Sequence, residues 1–214
     1  MKKADIKEFF ARLKKADPEP KCELNFDSPY TLLVAIVLSA QTTDKNVNKA
    51  TPALFEKASS PEKMLALGEE KIKEYIRSIG LFNSKAKNII ALSKDLIEKY
   101  NGEIPKDVDE LQKLAGVGRK TANVFLNTMY GMPTFGVDTH VLRLGNRIGI
   151  APGKTPLEVE KNLAKAVTHV IPDDDLKHVS HWLVLHGRYI CTAKKPLCGQ
   201  CPVADLCPKI GVKE

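Results

Sequence analysis

The chain has 214 residues, 43% hydrophobic and only 6% aromatic, which is enough apolar content for one or two domains with their own cores. Lysine and arginine number 33 against 26 acidic residues, a formal charge of +7, which suits either a polyanionic partner such as nucleic acid or a merely solvated, mixed-charge surface. The charged start (Lys2, Lys3, Asp5, Lys7, Glu8) lacks a signal peptide's apolar core, and the longest apolar run, Leu32 to Leu38, is too short to span a bilayer.

Taken in chain order, the sequence predicts helices almost throughout. Ile6, Phe9, Phe10 and Leu13 recur at helical spacing over 3–16, and Pro18 and Pro20 close that segment. Pro29 suits the first turn of a helix over Tyr30 to Ala40 that is apolar on nearly every face, hence buried and central. A buried strand is the alternative for so short a run, but no alternating pattern elsewhere supports it. Thr43 or Asp44 caps a helix to about Lys57. Pro61 to Leu67 and Glu69 to Ser78 are short helices. Gly80 reads as the glycine ending the second, and Ser84 as the cap of a long helix ending near Tyr100. A short helix from Asp107 to Leu114 is broken by Gly116 and Gly118, and Arg119 to Met129 resumes it. After Gly131 and Pro133, Asp138 caps a helix to Arg147, Pro156 opens one to about Val170, and Asp175 to Ile190 is the last. No internal repeat or low-complexity linker interrupts the pattern. The expected fold class is all-α, with about ten helices.

Four of the five cysteines, Cys191, Cys198, Cys201 and Cys207, fall in the spacing C-x6-C-x2-C-x5-C. The chain is expected to be cytosolic, where disulfides are not expected and such a group reads as a metal site. Structural zinc favours two short knuckles, and only Cys198-x2-Cys201 makes one. The longer gaps suit a loop around a [4Fe–4S] cubane, with zinc or unligated core cysteines as the alternatives. Cys22 stands apart and is expected to be a small buried hydrophobe. Arg188, Lys194, Lys195 and Lys209 surround the loop; they either contact phosphates or simply balance an anionic cluster.

The second signal is Leu114-Ala115-Gly116-Val117-Gly118-Arg119-Lys120-Thr121-Ala122, two helices joined by a tight G-V-G turn. This is a helix-hairpin-helix signature. Its glycines permit close backbone approach, and the second helix aims free N–H groups outward at a phosphate. An ordinary glycine-containing helix turn is the alternative. Lys120 sits in that helix's first turn, where the macrodipole disfavours a cation. It is either a neutral, nucleophilic amine or a phosphate-binding lysine beside Arg119. Asp138, in Val137-Asp138-Thr139-His140, has a complete reading as a helix N-cap. Chain reach permits more. A helix from Arg119 to Met129 is ~16 Å long at ~1.5 Å per residue, and Gly131 to Val137 can span ~23 Å when extended. The chain can therefore run back and bring a carboxylate to the amine.

These segments carry a family resemblance. LAGVGRKTANVFLNT, VDTH, and HGRYIC leading into the cysteine spacing resemble bacterial endonuclease III, a bifunctional DNA glycosylase/AP lyase of the helix-hairpin-helix superfamily. So do LLVAIVLSAQTTDKNVNKAT and SIGLFNSKA, so the likeness runs over essentially the whole chain. It implies a six-helix barrel domain over 22–132 containing the hairpin (about 107–130), an iron–sulfur cluster domain from 1–21 plus 133–214 (cluster loop 191–207), and an active-site cleft between the lobes. It implies that Lys120 attacks C1′ of a damaged nucleotide, that Asp138 accepts a proton and stabilises the sugar cation, and that β-elimination then cuts the strand 3′ to the lesion. It implies a [4Fe–4S] cofactor on Cys191, Cys198, Cys201 and Cys207. The implied partner is double-stranded DNA carrying oxidised or fragmented pyrimidines or abasic sites, met by a monomer without a membrane in a bacterial cytoplasm, at the nucleoid. DNA contacts are implied for Gly116, Val117, Gly118, Arg119, His140, Lys194 and Lys195, and gap-filling roles for Gln41 and Leu81 once the base is flipped out. Gln41 also reads as a polar helix end, Leu81 as an apolar partner of the Gly80 turn, and His140 as a satisfied first-turn residue. The family usually carries proline where this chain has Ala115.

Two other readings remain at this level. An adenine-mismatch glycosylase shares the hairpin, aspartate and cluster, but lacks the lysine and uses a glutamate where Val34 to Leu38 is wholly apolar. A non-catalytic DNA-binding module would use Lys120 for phosphate and Asp138 only as a cap.

Overall fold

A computed structural model describes residues 1–212, and among them every regular element is a helix. In chain order these are α1 (Lys3–Ala16), α2 (Pro29–Ser39), α3 (Asp44–Lys57), α4 (Pro61–Leu67), α5 (Glu69–Ile76) and α6 (Phe82–Tyr100). There follow α7 (Val108–Leu111), α8 (Arg119–Tyr130), α9 (Thr139–Arg147), α10 (Pro156–Val167), α11 (Asp173–Leu176) and α12 (Val179–Tyr189), then one 3-10 turn at Cys198–Gln200. The chain forms two compact units, Glu23–Tyr130 and the pair of segments Met1–Cys22 and Gly131–Glu214.

The continuous unit is built around α2. Every residue from Tyr30 to Leu38 is buried, so the apolar run is a core helix and not a strand. Ser28 starts it: its Oγ accepts the Thr31 N–H at 3.2 Å, and Thr31 Oγ1 accepts the Ser28 N–H at 2.9 Å, with Pro29 in the first turn. Being apolar all round, α2 needs cover on all sides, and α3, α6 and α8 supply it. Each fully buried leucine, isoleucine or valine contributes about 1.5–3 kcal/mol. α4 and α5 pack on α6, and α7 packs on α8. The buried hydroxyl in the first turn of α2 is also satisfied: Tyr30 Oη lies 2.6 Å from Ser93 Oγ.

The second unit joins the chain's first helix to its last third. α1 buries Ile6, Phe9, Phe10 and Leu13, and packs on α10 and α12. Trp182 Nε1 donates to Asp17 O at 2.8 Å, and Lys14 Nζ pairs with Asp175 at 2.8 Å. Arg12 donates to Asp205 Oδ1 at 2.7 Å and Pro202 O at 3.2 Å, fastening α1 to the cysteine-bearing end. α9 lies close against α12 at Gly187, where a Cβ would come within 2.8 Å of His140 Cβ.

Several boundaries depart from the sequence reading. Gly80 is not left-handed; Leu81 is, at φ 61°, and it is the N-cap of α6, which leaves Ser84 inside the helix. The stretch expected as one helix from Asp175 to Ile190 is two, α11 and α12, and the break accompanies the Lys14–Asp175 pair and the Trp182 bond to Asp17. α10 ends at Val167, followed by a left-handed His169. α5 stops at Ile76, and α7 keeps only four residues. No helix among the described residues is long and apolar enough to cross a membrane.

Candidate nucleic-acid interface and cysteine centre

The link from α7 to α8 is closed by Val117 N–H donating to Leu114 O at 3.1 Å, with Ala115 and Gly116 as the central residues. Gly116 has φ +78°, the value a type II turn needs at its third position. A Cβ there would also meet Asn88 and Val37 side chains at 3.0 to 3.2 Å. Val117 is buried and anchors the turn. At Gly118 nothing lies within 4 Å of a Cβ position, so the protein's own packing does not call for glycine. The room it leaves is on the outside. The first α8 backbone bond runs from Ala122 N–H to Gly118 O at 3.0 Å, so the amides before it lack helical acceptors. Arg119 and Lys120 are exposed beside them. A helix start with its positive dipole end and two exposed cations has the chemistry that suits a phosphate.

Asp138 is half-buried at the N-cap of α9. Its Oδ1 accepts the His140 N–H at 2.8 Å and the Val141 N–H at 2.9 Å. Both bonds fall on one oxygen, which leaves the lone pairs of Oδ2 for a ligand. His140 is half-buried in the first turn, its Nδ1 3.2 Å from Arg143 Nη2. Lys120 belongs to the continuous unit and Asp138 to the other.

Gln41 and Leu81 share an uncommon backbone. Both are left-handed, at φ 56° and 61°, and both are exposed, Leu81 by 60%. A side chain in that region costs roughly 1–3 kcal/mol and persists where its surroundings enforce it. At 60% exposure Leu81 is not the packing partner of a Gly80 turn.

Cys191, Cys198, Cys201 and Cys207 line one pocket with Arg147 and His186, and none is in a disulfide. Two donors face the sulfurs, Arg147 Nη1 at 3.3 Å from Cys191 Sγ and the Lys209 N–H at 3.3 Å from Cys207 Sγ, and His186 Nε2 lies 3.5 Å from Cys201 Sγ. Hydrogen bonds to sulfur are what cluster thiolates use. Four cysteine thiols lining one pocket are the donor set that an iron–sulfur cluster takes. Cys22, expected to be buried, is partly exposed.

Sequence reasoning missed the residues that hold this loop. Arg147, 8% exposed, also donates to Thr192 O at 2.8 Å and Ala193 O at 3.2 Å. Thr192 Oγ1 donates to Lys195 O at 2.7 Å, so the loop presenting the exposed Lys194 and Lys195 is fixed from within. Arg143 Nη2 reaches Gly187 O at 2.8 Å and Cys191 O at 3.0 Å, covering the carbonyl end of α12. The available signal was the four-residue spacing of Arg143 and Arg147 on one face of α9.

Residues 34–169 match the model of the HhH-GPD superfamily base excision DNA repair proteins, and residues 191–207 match the iron–sulfur binding domain of endonuclease III. The chain is 53% identical to endonuclease III of Haemophilus influenzae, over 97% of this chain and 96% of that one. It is 52% identical to endonuclease III of Escherichia coli K12 over the same shares. A solved structure of a trapped endonuclease III–DNA covalent intermediate superposes with a TM-score of 0.89 at 45% identity, covering 98% of this chain and 97% of that one. With the hairpin, the aspartate cap and the four-cysteine pocket in place, the chain belongs to the endonuclease III family of HhH-GPD base excision DNA repair proteins.

Proposed function

We propose that Lys120 is the nucleophile and Asp138 the proton acceptor of this bifunctional DNA glycosylase/AP lyase, and that its substrates are oxidised pyrimidines in duplex DNA. A base inside the stack is out of reach, so the nucleotide must leave the helix before reaction. The Lys120 amine then attacks C1′, the glycosidic bond breaks, and the base departs with its electron pair. Asp138 takes the proton released by the amine and lies ready, through Oδ2, to stabilise positive charge on the sugar. Ring opening gives an imine between Lys120 and C1′. Loss of a C2′ proton then expels the 3′ phosphate, which cuts the strand by β-elimination.

The observation that carries this reading is the exposed amine of Lys120 beside a phosphate-binding turn, in a fold whose relative has been trapped covalently on DNA. Gly116, Val117, Gly118 and Arg119 hold the backbone of the damaged strand, and His140, Lys194 and Lys195 add phosphate contacts. Gln41 and Leu81 fill the space left by the flipped nucleotide. The [4Fe–4S] cluster, held by Cys191, Cys198, Cys201 and Cys207, supplies closure of the 191–207 loop. Four thiolates leave it no open position for substrate. A chromosomal DNA substrate implies a cytoplasmic protein, monomeric and held on the nucleoid. Family membership sets aside the adenine-mismatch reading and the non-catalytic one.

Borohydride reduction with an abasic-site duplex tests the chemistry. The protein forms a covalent adduct, and Lys120→Gln forms none while still binding the duplex. No adduct with the unaltered protein, or an undiminished adduct with Lys120→Gln, would overturn the assignment.

A further inference from the structure

Lys85 is the most deeply placed lysine of the continuous unit, at 4% exposure. Its Nζ donates to Leu38 O at 2.9 Å and to Ala40 O at 2.6 Å. These carbonyls close α2: Leu38 lies in its last turn and Ala40 is its C-cap, immediately before Gln41. The Ala40 N–H reaches Val37 O only at 3.5 Å, so the helix's own closure is weak there. At its other end Lys85 stands one turn into α6, its N–H bonded to Leu81 O at 3.0 Å. One residue therefore grips the backbone leading into Gln41 and is built on the turn that presents Leu81.

The chemistry of the position asks for an explanation. No carboxylate pairs with Lys85 among the described residues, and burial pulls its basicity below lysine's ordinary range. A buried ammonium without a counter-ion is costly, and an apolar side chain of similar length would fill the same space. What the ammonium adds is two directed bonds to carbonyls at the negative end of α2. Those bonds bear on the two residues whose left-handed backbones need enforcement, Gln41 and Leu81.

We propose that Lys85 is a positioning residue that fixes the spacing between Gln41 and Leu81, so that both enter the gap in the duplex together. This rests on the reading of Gln41 and Leu81 as gap-filling residues. The link is mechanical: loss of the ammonium frees the end of α2, and Gln41 no longer tracks the start of α6.

The test uses the full cluster-loaded protein. A duplex with a tetrahydrofuran abasic analogue opposite 2-aminopurine reports filling of the gap as a rise in fluorescence. A single-stranded abasic oligonucleotide, trapped with borohydride, reports the Lys120 chemistry where no gap has to be filled. Lys85→Met is expected to lose most of the fluorescence rise at saturating protein, and to slow excision from lesion duplex about tenfold to a hundredfold. Its single-strand trapping stays near that of the unaltered protein. Unchanged fluorescence and excision in folded Lys85→Met would sink the proposal, as would equal loss in both assays, which marks a purely structural residue. Gln41→Ala with Leu81→Ala is the control: if that pair leaves fluorescence and excision intact, the gap-filling reading itself fails, whatever Lys85 does. Should Lys85→Met not fold, Lys85→Gln takes its place with the same expectations. If neither yields folded protein, Lys85 is a stability residue and the proposal falls.

Discussion

At the start of α9 Asp138 spends one oxygen on structure. Its Oδ1 holds the amides of His140 and Val141, and Oδ2 carries no hydrogen bond among the described residues. The two roles can be separated because asparagine caps helices about as well as aspartate. Asp138→Asn keeps an Oδ1 for both amides and loses only the carboxylate. Its thermal midpoint is expected to stay at that of the unaltered protein, while single-turnover excision falls about 10²–10⁴-fold, the usual share of a positioned general base. Asp138→Ala loses the cap as well, at about 0.5–2 kcal/mol of stability. Denaturation and excision kinetics on both variants decide the matter. An asparagine variant as unstable as the alanine one, with excision lost in proportion, would reduce Asp138 to a cap.

The turn between α7 and α8 shows what an element inherits from its sequence. Its second residue, Ala115, occupies the position where a type II turn favours proline, and its N–H makes no hydrogen bond among the described residues. Ala115→Pro is therefore expected to stabilise by about 0.4–1 kcal/mol, through a stiffer unfolded chain. In a protein of this size that raises the thermal midpoint by roughly 2–4 °C per kcal/mol. A lower midpoint would mean that Leu114 holds a conformation that proline's predecessor cannot adopt. This hairpin was legible in advance because its signals are local: a glycine at a positive φ, a buried Val117 and cations at a helix start all lie in one short stretch. The caps at Asp138 and at Thr43, read as Thr43 or Asp44, were legible for the same reason, whereas Asp107, read as the first helical residue, is the N-cap of α7. The start of α6 was not, since Leu81 takes its left-handed turn with no local cap bond, under the hold of Lys85 on the end of α2. The split between α11 and α12 likewise answers to α1, far away in the chain. The four cysteines that line one pocket could be read from their spacing. For Arg143 and Arg147 spacing marks only a shared face of α9, and the targets of both, like those of Lys85, could not be read, because they are carbonyls more than forty residues away.

Across the whole molecule, electrostatics turns on placement more than on total charge. The formal charge is +7, and a [4Fe–4S] cluster with four thiolates brings it to roughly +5. That is a small excess for gripping a polyanion, so affinity depends on cations held in fixed directions. Lys194 and Lys195 meet this condition through the cluster loop, which Arg147 and the Thr192–Lys195 bond tie down from the protein side. Each phosphate contact steepens the dependence of log K on log salt by about 0.9. Lys194→Gln with Lys195→Gln should therefore flatten that slope by up to ~1.8, equally for lesion and undamaged duplex, because phosphates carry no sequence information. Removing the cluster should flatten it by a similar amount, since the lysines remain but lose their direction. Hydrogen exchange on the cluster-free protein adds a second readout. Loss of protection is expected in α9, α12 and the segment after Cys191, which the Arg143 and Arg147 bonds join. α2 and α6 should keep theirs, because their core is complete within Glu23–Tyr130. A cluster-free protein with an unchanged salt slope would show that Arg147 and Thr192 alone orient the loop, and that the iron–sulfur group serves something other than grip.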